Sequence, residues 1–128
     1  PALEAEVFGR GKGGIRALFL IDSGASVSLL PSGDAGVLRI RMDGGKKTIV
    51  RGIGDSPFFG YAHTVRFRFD SYPTFRVPVL VADRPDVPRI LGREGVFSRF
   101  GIVFDEPMRR TALLDSKKNR KTLDSVFR

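Results

Sequence analysis

The sequence contains no cysteine and no tryptophan, and its only histidine is His63. Without cysteine there are no disulfides and no thiolate metal sites, and one histidine does not complete a histidine-based zinc site. No apolar run approaches the roughly 18 residues that cross a bilayer, and the N-terminus lacks a signal-peptide pattern. We therefore expect a soluble protein with no membrane partner. The compartment is not assigned, but the cytoplasm is favoured unless flanking segments are missing.

Positive charge is abundant, with a formal net charge of +8 over 128 residues. From Glu106 to the C-terminus, seven Lys or Arg stand against three acidic residues, so this segment alone carries four of the eight surplus charges. Blocks of like charge of this kind are usually solvated. The distribution predicts a compact domain over residues 1–107 and a basic C-terminal tail over residues 108–128.

Frequent chain breakers, 15 glycines and 8 prolines, divide the apolar residues into short segments and predict an all-β fold. The segment Ala17–Ile21 is apolar at every position, which predicts a strand buried on both faces. One or two helical turns are predicted over Glu94–Phe100, and Ile102–Phe104 is predicted as a last core strand. Three hairpins are predicted, which join Leu3–Val7 to Ala17–Ile21, Leu38–Met42 to Thr48–Ile53, and Val65–Phe69 to Val77–Val81.

A candidate catalytic group follows the first of these hairpins, where Ile21 leads directly into Asp22-Ser23-Gly24. A carboxylate at the end of a buried strand loses hydration, so it needs compensating hydrogen bonds or a shared proton. Gly24 permits close approach of backbone amides, and the Ser23 hydroxyl is able to fix the turn. Taken alone, the tripeptide is also typical of an ordinary turn.

A second segment, Ile90-Leu91-Gly92-Arg93 before the predicted helix, favours a catalytic role for Asp22-Ser23-Gly24 over an ordinary turn. Together the two segments resemble the motifs of retropepsin-like aspartic proteases, over approximately Val7 to Asp105. We expect a bacterial or cellular member of that family. The resemblance implies a closed β-barrel or sandwich with one short helix near the C-terminal end, assembled as a homodimer.

The resemblance also implies roles for individual residues. Asp22 corresponds to the catalytic aspartate, Ser23 to the hydroxyl residue that braces paired active-site loops, and Gly24 to the turn glycine. Arg51–Tyr61 lies where these enzymes have a flap over the substrate, with its tip near Gly54-Asp55 and with Phe58 and Phe59 as either substrate contacts or core residues. The residues implied in substrate binding are Ala25, Ser26, Gly52, Ile53, Gly54 and Asp55.

Two features depart from the viral pattern. The flap has Asp55-Ser56-Pro57 where a glycine-rich tip is usual, and Ser26 occupies the place of an acid that often pairs with the arginine equivalent to Arg93. The partner of Arg93 is therefore open. We expect this arginine to pin the helix to the active-site loop or to the dimer interface.

The implied activity is cleavage of an extended polypeptide by water activated between two Asp22 carboxylates, one from each subunit, without a metal or other cofactor. One alternative is an inactive module of the same fold that binds peptides or dimerises. Another is a basic barrel that binds nucleic acid, suggested by Arg66-Phe67-Arg68-Phe69. Because alternate residues of a strand face opposite sides, the phenylalanines point away from the arginines. Nucleic acid is therefore not the expected partner.

Overall fold

The computed structural model describes residues 1–52 and 56–127 of the chain. It shows a mostly β protein with short helical segments. In chain order the elements are β1 (Ala2–Phe8), β2 (Gly14–Ile21), β3 (Ser28–Leu30), α1 (Ser32–Val37), a 3-10 helix (Met42–Gly44), β4 (Lys47–Val50), β5 (Phe58–Arg68), β6 (Phe75–Ala82), β7 (Ile90–Leu91), an irregular helical segment (Arg93–Phe97), β8 (Phe100–Asp105), β9 (Arg110–Asp115) and α2 (Arg120–Val126).

Seven strands form one sheet in the order β1-β2-β7-β3-β6-β5-β4, and β1 also pairs with β5. The pairings from β1 through β2, β7, β3, β6 and β5 therefore return to β1. Most neighbours are antiparallel, but β2 runs parallel to β7 and β3 runs parallel to β6. A separate antiparallel pair is formed by β8 and β9. This circuit of strands encloses the main core.

The first and third predicted hairpins are confirmed. Antiparallel pairing joins β1 to β2 from Ala2 opposite Leu20 to Phe8 opposite Gly14, and it joins β5 to β6 over eight residue pairs. Alternation determines which side chains are buried, since successive residues of a strand face opposite sides. The rings of Phe19 and Phe67 meet edge to face in the core, with their centroids 5.3 Å apart. Burial of such aromatic pairs stabilises the fold.

The prediction that β2 is buried on both faces is wrong. Phe19 has no exposed surface, whereas Leu18 is 66% exposed and Leu20 is 48% exposed. An antiparallel hairpin needs only one face on the core, and no described segment packs over the other face. The outer surface of β2 is therefore apolar and open beside the end of the strand.

The second predicted hairpin is also wrong, because Leu38–Met42 is not a strand. Leu38 caps α1 and is fully buried, and Arg39 then adopts a left-handed conformation with φ of 52°. The amide of Ile40 bonds back to the carbonyl of Ala35. The alternating pattern thus reflects a helix end that folds over the core, and β4 pairs with β5 instead.

The sequence predicted one short helix near the C-terminal end, but the structure contains helical segments elsewhere as well. The segment Arg93–Phe97 is present but irregular, with Gly95 at φ of 77°, and α1 and α2 are additional helices. In the last predicted core strand, Val103 and Phe104 are about half exposed. Regular structure continues beyond Pro107 as β9 and α2. The division of the chain at residue 107 stays a prediction.

The described helices are short, and none of them has the length and apolar content needed to cross a bilayer.

Candidate active site

Asp22 stands where β2 leaves the sheet. The parallel pairing of β2 with β7 continues one step beyond the strand, because the amide of Asp22 donates to the carbonyl of Leu91 at 3.1 Å. The chain then turns sharply, with the amide of Ala25 donating to the carbonyl of Asp22 at 3.2 Å. The amide of Gly24 donates to Oδ1 of Asp22 at 2.8 Å. Both the backbone and the carboxylate of Asp22 are thus held by this turn.

The second sequence motif packs directly against this turn. The amide of Arg93 donates to the carbonyl of Ala25, and the amide of Glu94 donates to the carbonyl of Ser26, each at 2.9 Å. A Cβ atom on Gly92 would lie 2.5 Å from the carbonyl carbon of Val27. Only a residue without a side chain allows this approach. The two motifs predicted to cooperate are therefore adjacent in the fold.

Ser28 belongs to this arrangement, although sequence reasoning did not select it. Its hydroxyl accepts a hydrogen bond from the amide of Gly92 at 3.0 Å, and the residue is fully buried. A buried backbone amide without a partner is costly, so this bond stabilises the contact between the two motifs. A serine at the start of an otherwise apolar strand was the available signal.

The carboxylate of Asp22 is more accessible than the sequence suggested. Asp22, Ser23 and Gly24 are all exposed in the single chain, whereas a buried carboxylate was predicted. The strand delivers Asp22 past the edge of the sheet, and no described segment covers it. One solvated carboxylate is able to accept or to donate a proton, but it does not fill both roles at once.

A groove of about 380 Å³ begins at Asp22 and reaches the end of β4. It brings together Ala25 and Ser26 from the turn with Gly52 from the chain after β4. All three are among the residues predicted to bind substrate, and that role stays a prediction. The predicted residues Ile53, Gly54 and Asp55 lie outside the described residues. The apolar part of the lining consists of Val27, Leu29, Val50, Leu80 and Ile90.

The two candidate flap aromatics have different environments. Phe58 is 7% exposed and packs in a small core cluster with Leu29 and Ile90, whereas Phe59 is 39% exposed. The ammonium group of Lys47 lies 4.0 Å from the centre of the Phe59 ring. Phe58 is therefore a core residue that supports the groove from beneath, and Phe59 is on the surface.

An ion pair that the sequence did not reveal fixes the start of β7. The carboxylate of Asp34 in α1 is buried and accepts two hydrogen bonds from the Arg89 guanidinium, Nε to Oδ2 and Nη2 to Oδ1, both at 2.8 Å. The hydrogen bond to Asp34 raises the pKa of Arg89 above its ordinary value. The residues are 55 positions apart, so no local pattern links them.

The described contacts of Arg93 are made by its backbone, and its side chain is exposed.

Among the residues with described positions, no group of three or more His, Asp or Glu side chains is arranged to hold a metal ion. At the candidate site, the Asp22 carboxylate lies beside the backbone amide of Gly24.

No family model matches this chain, and no curated protein matches it. Among solved structures, the chain is similar to the EIAV protease complexed with the inhibitor HBY-793, with 25% sequence identity. The similarity covers 73% of this chain and 81% of that chain, at a TM-score of 0.48.

Proposed function

We propose that this chain is an aspartic endopeptidase of the retropepsin-like type, of bacterial or cellular origin, with a closed barrel formed by the circuit of strands. The observation that carries the proposal is the Asp22 turn, which is bonded to the Gly92 segment and opens into a groove. The two motifs on which the sequence resemblance rests are the same two segments that meet at this groove.

The catalytic unit in this proposal is a dimer of identical chains. Two carboxylates about 3 Å apart repel each other too strongly for both to be ionised. The pair therefore holds one proton between them, as aspartic proteases in general do. The ionised carboxylate takes a proton from water, which attacks the peptide carbonyl carbon. The protonated carboxylate hydrogen-bonds the carbonyl oxygen and stabilises the negative charge that develops there.

Two features of the single chain support this assembly. The carboxylate of Asp22 is exposed, so a counterpart across a two-fold axis could approach it, and the exposed Ser23 beside it would brace the paired turns in such a dimer. Leu18 and Leu20 expose apolar surface on β2, within four residues of Asp22. Exposed apolar patches favour association because their burial releases water.

The substrate in this proposal is a polypeptide in extended conformation. It occupies the groove between the Asp22 turn and the end of β4, beneath a flap formed by Arg51–Tyr61. Extended peptides bind by main-chain hydrogen bonds, and pockets select alternate side chains. The apolar lining of the groove, Leu29, Leu80 and Ile90 among others, favours apolar side chains next to the cleaved bond.

The test compares wild type with Asp22→Asn on an unfolded protein substrate at mildly acid pH. Asp124→Asn is the matched control, because Asp124 is an exposed acid of α2 whose side chain, among the described residues, contacts Arg120 at 3.5 Å and makes no other ion pair. We expect cleavage by wild type and by the control, and none by Asp22→Asn. Below the dimer dissociation constant, cleavage rate should rise with the square of chain concentration.

Equal cleavage by Asp22→Asn and wild type would refute the catalytic assignment. A dimer that cleaves nothing at any pH would instead support the peptide-binding or dimerisation module of the same fold.

A further inference from the structure

A second and larger groove, which we call the basic groove, lies at the opposite end of the β1–β2 hairpin from Asp22. It has a volume of about 640 Å³. The groove forms where the neighbours of β5 separate, since β4 pairs with β5 only up to Tyr61 and β1 pairs with it only from Arg66. The eight residues of β2 put about 25 Å between this groove and Asp22. Its lining includes Arg10, Arg41, Arg66, Arg76 and His63.

The charge of the basic groove is one-sided. Its described lining contains four arginines and no acidic residue. Arg41 is paired with Asp43 at 3.0 Å, and Arg66 donates to the carbonyl of Gly9 at 3.2 Å. Within the described parts of the chain, the side chains of Arg10 and Arg76 have neither an ion pair nor a hydrogen bond. Guanidinium groups without an ion pair or a hydrogen bond attract anions, and their planar donors suit phosphate oxygens.

The positive surface extends beyond this groove. Arg76 also lines an adjoining groove of about 260 Å³, together with Arg99 and Lys117. The acid of this adjoining groove, Asp115, accepts hydrogen bonds from the amides of Lys117 and Lys118, so part of its charge is already compensated. A continuous series of cationic groups over two adjoining grooves suits an extended polyanion better than a small anion.

We propose that the basic groove binds single-stranded nucleic acid through its phosphates, with little dependence on base sequence. The rings of Phe67 and Phe8 are not free to stack on bases, because Phe67 is buried in the core and Phe8 lies under the guanidiniums of Arg66 and Arg68, 5.8 and 5.2 Å from the ring centre. This mode differs from the base-stacking barrel considered from the sequence. Affinity therefore depends mainly on phosphate contacts and counterion release.

The test measures binding of the full chain to a labelled oligothymidylate of about 20 nucleotides, by fluorescence anisotropy over a salt series. The double variant Arg10→Gln with Arg76→Gln is compared with Arg120→Gln with Lys121→Gln in α2. Each variant removes two positive charges, so the two proteins have the same net charge. Unfolding curves check that both remain folded.

We expect the groove variant to bind about 20-fold more weakly at 0.1 M salt, with the slope of log K against log salt reduced by about 1.4, because each phosphate contact to a single strand contributes about 0.7. The α2 variant should bind within about twofold of wild type. Equal weakening of both variants, or no binding by wild type at low salt, would overturn the proposal. Equally strong competition by a polyglutamate peptide would replace nucleic acid with an acidic polypeptide as the partner.

Asp22→Asn separates this proposal from the proteolytic one, since it should abolish cleavage and leave oligonucleotide affinity unchanged.

Discussion

The contact between Gly92 and the Asp22 turn can be tested by adding a single methyl group. In Gly92→Ala, the new Cβ would lie 2.5 Å from the carbonyl carbon and 2.6 Å from the carbonyl oxygen of Val27. Ordinary van der Waals contact begins at 3.4 Å, so the two segments must separate by about 0.9 Å. Gly92 itself has φ of −99°, which alanine adopts freely. The effect therefore isolates the clash from backbone strain.

Two opposing terms set the expected loss of stability. Overpacking costs about 3 kcal/mol at the upper end of its usual range, because the obstructing atoms are backbone and do not rotate away. Replacing glycine restricts the unfolded chain and returns up to about 1 kcal/mol. The free energy of unfolding should therefore fall by about 2 kcal/mol. Separation of the segments also weakens the hydrogen bonds that the amides of Arg93 and Glu94 donate to the turn. Because this turn positions Asp22, its displacement also moves the Asp22 carboxylate.

Urea denaturation and peptide cleavage together measure this effect. We expect the urea midpoint to fall by about 1 M for an m value of about 2 kcal/mol/M, and cleavage to slow by about 100-fold from a displacement near 1 Å. Gly36→Ala is the matched control, because Gly36 lies in α1 with no atom within 4 Å of the added Cβ. It should raise the free energy of unfolding by up to about 1 kcal/mol without changing cleavage.

A Gly92→Ala protein as stable and as active as wild type would show that Val27 moves away without consequence for Asp22. The reasoning that the two motifs act as one rigid unit would then be incorrect. Loss of stability with normal cleavage would confine the error to the link between position and catalysis.

Two further predictions concern stability. Arg89→Ala leaves the buried carboxylate of Asp34 without its partner and should lower the free energy of unfolding by about 3 kcal/mol in urea titrations. Arg41→Ala, at an ion pair whose side chains are 86% and 68% exposed, should have no measurable effect. The pKa of Asp115 lies below its ordinary value of 3.8 because backbone amides donate to it, so its contribution is complete above that value and is lost as pH falls through the lower pKa of the folded state. In Asp115→Asn, the stability of the segment that includes α2 should depend less on pH in that acid range. Amide hydrogen exchange measures this local stability.

Local patterns predicted the parts of the fold in which alternation and burial agree. The hairpins β1–β2 and β5–β6 have regular apolar alternation, and they form as expected. The Leu38–Met42 segment alternates equally well, but its pattern arises from a helix end and a left-handed residue. Short elements such as β3, with three residues, carry too little pattern to be recognised. Their existence depends on pairing with distant strands.

The sequence predicted those residues of the candidate site that belong to the two motifs, but not the contacts that depend on how distant segments pack. Asp22, Ser23 and Gly24 could be selected because they occur with Ile90-Leu91-Gly92-Arg93, and the structure brings the two segments into contact. The ion pair of Asp34 with Arg89 has no sequence signature, since it depends on how α1 meets the start of β7. The exposure of Asp22 could not be predicted either, because it depends on which segments pack over the end of β2.

The parallel pairing of β2 with β7 means that the candidate site is assembled from distant parts of the chain. Asp22 and Gly92 are 70 positions apart, and closing a loop of that length costs about 4 kcal/mol of conformational entropy. During synthesis, a ribosome-bound fragment that ends before β7 has no support for the Asp22 turn. The contacts that hold the Asp22 turn would therefore form only after β7 has been synthesised, so the geometry on which the proposed hydrolysis depends would be absent from every shorter fragment.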